Sequence, residues 1–359
     1  MFEKNKVCYA PFYLLRVEQD GNCYSCSSAY VKDSYCFGNI FTDDIDDIWN
    51  GEKAKLFRKD KLNCEYSFCK RNICNLFASD MCSYFKKPET KEENDSLSCC
   101  LDSYPLYVSL SYDFSCSEKC VFCRDKTYIL EPDIASEWES ILYTKIIPLL
   151  KHAKILEMTC AGELLISKHS QKMLKEIVHY CPDIKLKLFS NGIYCTEEKF
   201  SELGILENIE EVCISLHCVK KDTYKKIFRN ENFDKVISNI KYIASLKQKG
   251  LVKNFCLQFV ITRDNYKEIK EFIKFANSVN AIPVFTFVIK NDETEYCKNY
   301  YNYSVHEKEH YLYNSFVSVL QDPFVQKNIP EHLKKYQKIS QFLIIKNWFR
   351  YIMNKRKEV

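Results

Sequence analysis

Cys116-Ser117-Glu118-Lys119-Cys120-Val121-Phe122-Cys123 places three thiols within eight residues. The run before it, Leu106-Tyr107-Val108-Ser109-Leu110-Ser111-Tyr112, alternates apolar and polar residues and reads as a strand. The thiols therefore stand at the C-terminal mouth of that strand. A loop this short can wrap three sulfurs around one face of a small metal cluster but cannot easily supply a fourth ligand. A centre with three protein ligands keeps an open position, and open positions are where metal chemistry takes place. The bland alternatives are a zinc loop or three buried thiols, although zinc favours paired Cys-x2-Cys units and a closed fourth ligand.

From Pro105 onward strand and helix signals alternate, which argues for βα units and a parallel sheet. The candidate strands are 106–112, 154–159, 184–190, 209–216, 255–262 and 282–289. Helical periodicity covers 133–152, 168–180, 196–203, 232–248 and 264–279, with Pro148 placed to bend the first of these. Six units are too few for a closed eight-stranded barrel. The tail from 304 is helical and rich in Tyr and Lys, ending in the aromatic-basic run Trp348 to Lys357. A helix packed on the barrel with a solvated basic end is the favoured reading there, ahead of docking on a membrane surface.

Composition narrows the class. Lys and Arg total 52 against 48 Asp and Glu, a formal +4, too slight a bias to argue for a nucleic-acid or membrane partner. Twenty cysteines is the outlier. Met1 to Lys6 leads into Val7-Cys8 without an apolar signal core, and no run approaches a membrane span. Reduced thiols in a cytoplasmic protein, some of them on iron, fit better than disulfides.

Ten of the cysteines fall within the first hundred residues. There, Cys8 to Val17 reads as a strand, Gln19 to Asn22 as a tight turn, Cys23 to Cys26 as a returning strand and Phe37 to Ile40 as another turn. Asp43 to Arg58 offers a capped helix with Ile45, Ile48, Trp49, Leu56 and Phe57 on its apolar side. Cys64, Cys69, Cys74 and Cys82 follow, and the charged, aperiodic stretch 86–98 reads as a linker.

The Cys-x3-Cys-x2-Cys spacing resembles the signature of the radical S-adenosylmethionine (radical SAM) superfamily, with Ser117 standing where many members carry Asn. The resemblance implies that Cys116, Cys120 and Cys123 hold a [4Fe–4S] cluster whose fourth iron binds S-adenosylmethionine, with Phe122 near its adenine. Cys160-Ala161-Gly162-Glu163 is similar to the family's Gly-Gly-Glu motif, which implies that Ala161, Gly162 and Glu163 meet the cofactor's amino group. By the same resemblance Asn191, Ser215 and Arg229 are cofactor contacts. His217 stands where Asp is commoner in the family and is a candidate proton donor or substrate contact. A plain Asn-Gly turn at 191–192 and a structural histidine at 217 are the competing readings.

Cys8, Gly21, Cys26, Gly38-Asn39-Ile40 and Ile48-Trp49-Asn50, with the Cys-rich end, resemble a SPASM-type auxiliary cluster domain. That implies at least one further [4Fe–4S] cluster, drawn from Cys8, Cys26, Cys64, Cys69, Cys74 and Cys82, with a structural zinc knot as the alternative.

The fold expected is α/β: a partial (β/α)6 TIM-like barrel of radical SAM type with a small Cys-rich SPASM-like N-terminal domain. The divisions expected are 1–85, a linker over 86–104, a core over 105–300 and a helical tail over 301–359. The activity implied is reductive cleavage of S-adenosylmethionine to a 5′-deoxyadenosyl radical that abstracts hydrogen from a substrate. That substrate is a peptide or protein, or else a sugar or other small molecule. An electron donor such as flavodoxin or ferredoxin is the implied partner, and no nucleic acid is expected. The alternative from another class is a non-catalytic iron–sulfur or zinc scaffold. A radical methyltransferase would need a further catalytic cysteine, for which Cys160, Cys213 and Cys218 are available.

Overall fold

The computed structural model describes residues 8–70, 74, 98–158, 162–288 and 294–340. Cys82, Cys160, Ala161 and the tail beyond Ser340 lie outside the described residues. The chain forms two compact units. The first takes the chain up to Cys116 with Tyr128–Phe189 and Glu197–Glu210; the second takes Ser117–Thr127, Ser190–Thr196 and the chain from Glu211.

The first unit opens with one helical turn, α1 (Ala10–Tyr13), then strands β1 (Leu14–Glu18), β2 (Asn22–Tyr24) and β3 (Gly38–Asn39). Helices α2 (Ile45–Asn50) and α3 (Glu52–Leu62) follow. Next come β4 (Tyr107–Ser111), α4 (Pro132–Ser140), α5 (Ile147–Leu150) and β5 (Ile155–Met158). The unit continues with α6 (Lys168–Tyr180), β6 (Lys185–Ser190) and α7 (Glu197–Leu203). Its strands lie in the order β3-β2-β1-β4-β5-β6. The β1–β2 and β2–β3 pairs are antiparallel, and β1, β4, β5 and β6 run parallel.

Alternation along these strands divides the sheet into two chemical faces. Leu15, Val17, Val108, Leu110, Leu156, Met158, Leu186 and Leu188 share one register set and are all buried, forming the apolar core. On the other face Arg16, Ser109, Glu157 and Lys187 line up across four neighbouring strands. Ser109 Oγ donates to Glu157 Oε1 at 2.9 Å, and Arg16 Nη2 donates to Ser111 Oγ at 2.8 Å. A charged row inside a protein persists only when its members satisfy one another.

The second unit holds β7 (Ile209–Ser215), α8 (Lys221–Phe228), α9 (Phe233–Gln248), β8 (Asn254–Ile261), α10 (Ile269–Ser278) and β9 (Ile282–Phe287). Its strands run parallel in the order β7-β8-β9. Short helices between Glu295 and Lys334 complete it. The α/β class and the parallel strands are as the alternation of signals requires.

Three local expectations need correction. Cys8 to Val17 is not strand throughout, because Pro11 falls in the first turn of α1, where a missing N–H costs nothing; extension begins at Leu14. Phe37 to Ile40 is not only a turn: Gly38–Asn39 pairs with β2. The single helix over Asp43 to Arg58 is two, broken at Gly51, which is extended in ψ (169°). Over 133–152 the chain widens into a π-helical turn at Leu142–Ile146, just before Pro148 enters the first turn of α5.

Candidate functional site

In the first unit, β4 ends in a set of bonds that fixes the approach to the cysteine loop. Asp113 is buried and accepts the backbone N–H of Ser115 at 2.8 Å on Oδ1. Its Oδ2 accepts from the hydroxyls of Ser167 and Ser170, at the start of α6. Tyr112 stacks on Trp138 with ring centres 4.3 Å apart, and Trp138 Nε1 donates to Gln19 O at 3.2 Å. Cys116 is then held in an isolated antiparallel bridge with Tyr128, each donating its N–H to the other's carbonyl, at 2.9 and 3.1 Å.

The segment after β5 closes onto the same place. Glu163 N donates to Ser115 O at 2.7 Å, one residue from Cys116. A Cβ on Gly162 would overlap Asp113 O and stand 3.0 Å from Ser115 O, so only glycine admits this approach. The Glu163 side chain is buried, with Oε1 accepting from Leu165 N at 3.2 Å. The structure thus brings two of the expected cofactor contacts, Gly162 and Glu163, beside Cys116.

The cysteine loop continues in the second unit. Cys120 O accepts from the N–H groups of Cys123 at 2.9 Å and Arg124 at 3.2 Å, which curls the loop. Val121 N donates to Ile227 O at 2.9 Å and pins the loop to the end of α8. Phe122 meets the His217 ring edge-on at 5.1 Å, and Cys297 Sγ lies 3.5 Å from Phe122 O. Cys120 is half-buried and Cys123 exposed.

His217 is buried between Phe122 and Phe228, its ring stacked on the latter at 5.4 Å and 6°. Its backbone is left-handed, with φ 59°. Nδ1 accepts from Val260 N at 3.2 Å, and Asn265 Nδ2 donates to the His217 carbonyl at 2.8 Å. Burial draws its pKa down to about 3, so the ring is neutral at physiological pH, with its proton on Nε2.

The remaining positions are tied locally. Asn191 Oδ1 accepts from Ile193 N at 2.9 Å, and Ser190 Oγ accepts from Gly192 N at 3.0 Å, an Asx-type turn around Gly192 at φ 82°. Ser215 Oγ donates to Gln258 Oε1 at 3.2 Å. Arg229, left-handed at the end of α8, pairs with Asp125 at 3.0 Å.

A second constellation lies in the N-terminal part of the first unit. Residues 30–32 pair with 68–70 through Lys32 N to Phe68 O at 2.8 Å and Lys70 N to Tyr30 O at 2.9 Å, placing Cys69 against Val31. Cys74 N donates to Lys70 O at 3.1 Å. Burial, followed by the charges of Cys8, Cys69 and Cys74, pushes the Cys26 thiol well up, while Lys61 draws it down. Three of the expected auxiliary ligands, Cys8, Cys69 and Cys74, therefore lie near enough to a fourth, Cys26, to act on it. The charge of Cys64 raises Tyr9 and, together with those of Cys8 and Cys69, Tyr66, each raised chiefly by burial. The buried Cys23 thiol is raised by burial and then by the charge of Cys36.

Among the described residues no group of three or more His, Cys, Asp or Glu side chains closes tightly enough to hold a metal ion. Thiolates on one zinc lie about 3.8 Å apart, from a Zn–S length of about 2.3 Å in a tetrahedron. An iron–sulfur cube carries its cysteine sulfurs farther apart, at its corners, so its ligands need not close on a single ion.

Sequence reasoning missed Asp113, Ser167, Ser170, Tyr128 and Lys61. Only Ser167 carried a signal, as the cap before a helical run.

The SPASM iron–sulfur cluster-binding domain family matches residues 8–75. The GTP 3′,8-cyclase of Nautilia profundicola is 23% identical over 197 residues, 52% of this chain and 57% of that protein. A probable GTP 3′,8-cyclase of Saccharolobus solfataricus is 39% identical over 76 residues, 21% of this chain and 23% of that protein. The chain is thus similar to radical SAM proteins and carries a SPASM-like N-terminal domain. It spans little more than half of the first relative and about a quarter of the second. Among solved structures, Streptococcus suis SuiB bound to S-adenosylmethionine aligns with a TM-score of 0.45 and 18% identity, over 67% of this chain and 55% of that one. Iron–sulfur cluster binding is what the family match over residues 8–75 describes. No helix among the described residues is long and apolar enough to cross a membrane.

Proposed function

We propose that Cys116, Cys120 and Cys123 hold the radical [4Fe–4S] cluster and that Gly162 and Glu163 receive the amino group of S-adenosylmethionine. When bound, these groups supply reductive cleavage to methionine and a 5′-deoxyadenosyl radical able to take hydrogen from carbon. The observation that carries this reading is the bond from Glu163 N to Ser115 O, at 2.7 Å, one residue from Cys116. It sets a buried carboxylate beside the first thiol, where an ammonium group can be received.

The chain's own residues then divide the work. Asp113 and Tyr128 fix the backbone around Cys116, and Val121 and Phe122 fix the loop that carries Cys120 and Cys123. Ser215 offers a hydroxyl to the cofactor. Asn191 holds the turn after β6. His217 props Phe122 from below as a neutral ring, a positioning residue and not an acid. Arg229 reaches the cofactor carboxylate only by releasing Asp125. Cys8, Cys26, Cys69 and Cys74 hold one auxiliary [4Fe–4S] cluster, within a domain we place at residues 1–85.

The substrate we propose is a peptide or protein, with a sugar or other small molecule as the alternative, and the electron donor a flavodoxin or ferredoxin. This substrate class rests on the SPASM resemblance, since such domains accompany peptide-modifying relatives. Anaerobic reconstitution tests the proposal. Roughly eight irons per chain, and release of 5′-deoxyadenosine on reduction with S-adenosylmethionine, are expected. A preparation that takes up zinc and never releases 5′-deoxyadenosine returns the chain to the scaffold reading.

A further inference from the structure

The cysteine loop has a second hold besides α8, the helical turn Glu295–Lys298 that follows β9. Cys297, fully buried there, donates its thiol to Phe122 O at 3.5 Å. The neighbouring Tyr296 ring, also buried, meets the Phe122 ring at 6.2 Å and 67°. Phe122 thus stands between T-shaped contacts with His217 and Tyr296, and it stays half-buried. A single helical turn is too short to hold itself. Thr294 anchors this one, its hydroxyl accepting from Cys297 N at 3.1 Å and its carbonyl from Lys298 N at 2.9 Å.

Tyr296 is itself tied in place. Its hydroxyl donates to Asp264 Oδ2 at 3.2 Å, and Asp264 Oδ1 accepts from Lys226 Nζ, on α8, at 2.6 Å. Its ring stacks on Tyr303 at 3.5 Å and 20°. Tyr303 is held by Arg263, whose N–H donates to its carbonyl at 2.8 Å and whose guanidinium lies 4.4 Å over its ring. A phenylalanine would fill the same space without needing the Asp264 carboxylate, whose side chain is only 6% exposed. Each hydrogen bond replaces one to water, so the tether adds little net stability; what it adds is a fixed ring position. Val121 and Phe122 are the residues between Cys120 and Cys123. Helix α8 reaches both, through Ile227 O to Val121 N and through Lys226, Asp264 and Tyr296 to Phe122.

We infer that Tyr296 and Cys297 are positioning residues for the nucleoside end of S-adenosylmethionine, acting through Phe122. This rests on the reading of Cys116, Cys120 and Cys123 as the radical site with Phe122 near the adenine. Cys297 fixes the Phe122 backbone and Tyr296 fixes its ring, so that the ring is already in place when a planar base packs on it.

The test titrates the reconstituted, reduced full-length protein with S-adenosylmethionine and, separately, with free methionine, which lacks the nucleoside. The change that each ligand makes in the electron paramagnetic resonance spectrum gives its affinity. Tyr296→Leu binds S-adenosylmethionine about tenfold more weakly, near the most that one aromatic contact is worth, and binds methionine as wild type does. Tyr296→Phe keeps the ring, loses the tether and falls between the two. Wild-type affinity for S-adenosylmethionine in Tyr296→Leu, with iron loaded, overturns the inference. So does an equal loss for both ligands, which would place the effect on the cysteine loop as a whole. Where Tyr296→Leu does not load iron, Tyr296→Phe and Cys297→Ala decide by the same comparison. A larger loss for S-adenosylmethionine than for methionine in either supports the inference, and its absence from both overturns it. Wild-type protein that loads iron but does not respond to S-adenosylmethionine overturns the radical-site reading first, and the inference falls with it.

Discussion

Gly162 packs its backbone directly against the carbonyl oxygen of Asp113, and this approach joins the end of β4 to the segment after β5. Gly162→Ala forces a Cβ into that oxygen. Overpacking of a site walled by backbone costs about 1–3 kcal/mol. A lower melting temperature is expected, together with weaker binding of S-adenosylmethionine to the reconstituted protein by calorimetry. An alanine variant with wild-type affinity would show that the approach has no bearing on the cofactor.

Asp113 makes three bonds from one buried carboxylate, to Ser115 N and to the hydroxyls of Ser167 and Ser170. Asp113→Ala leaves these donors unpaired in the core, at a cost of about 1–3 kcal/mol for each group that water cannot reach. Because Ser115 precedes Cys116, iron content at the radical site should fall too, measured by absorbance near 400 nm (roughly the thiolate-to-iron band). Asp113→Asn keeps the acceptor for Ser115 N and should retain more iron. Equal iron in both variants would separate the network from the cysteine loop.

Much of this arrangement was legible in residue order, and the remainder failed for identifiable reasons. The helix expected over 168–180 is α6 at Lys168–Tyr180, because Ser167 caps an uninterrupted 3.6-residue pattern. The three thiols and Gly162-Glu163 could be found because their spacing is local. The parallel pairing of β1 with β4, which brings Arg16 opposite Ser109, could not, since no local pattern encodes a partner some ninety residues away. Nor could the charges that collect on Cys26, which come from Cys8, Lys61, Cys69 and Cys74. The break at Gly51 was hidden by an apolar periodicity that runs on across it.

The four-cysteine assignment separates Cys69 from Cys64. Cys69 is buried and locked to Val31, whereas Cys64 is half-buried with a left-handed backbone, φ 54°. Cys26→Ser and Cys69→Ser should each remove roughly four irons per chain, and Cys64→Ser should remove none. Iron loss in Cys64→Ser equal to that in Cys69→Ser would move the ligand set.

Arg58 clamps the N-terminal part of the first unit. Its buried guanidinium donates to Pro11 O at 2.9 Å, Trp49 O at 2.6 Å, Asn50 Oδ1 at 3.1 Å and Cys99 O at 3.0 Å, and it lies 4.4 Å over the Trp49 ring. Burial draws its pKa down to about 10, still far above neutrality, so the charge is retained. Arg58→Met leaves several buried acceptors without a donor, a loss of about 3 kcal/mol or more. Denaturant midpoints check this, and a loss below 1 kcal/mol would mean that water replaces the guanidinium.

His217 gives the protein a dependence on acid that can be isolated. Burial holds its pKa near 3 in the folded chain, against 6.5 for the ordinary side chain. The unfolded chain therefore binds the extra proton first. The stability tied to the neutral ring is complete above pH 6.5 and is lost as pH falls toward 3. Between pH 6.5 and 5.5 one such histidine accounts for about 1 kcal/mol. His306, also drawn down to about 3 by burial, adds a similar slope in wild type and variant alike. His217→Gln keeps an acceptor for Val260 N but has no proton to take up. Urea midpoints at pH 7.5, 6.5 and 5.5 should fall less steeply in this variant by that amount. Parallel slopes would mean that the ring takes up its proton in the folded chain, and a charged His217 could then serve as an acid.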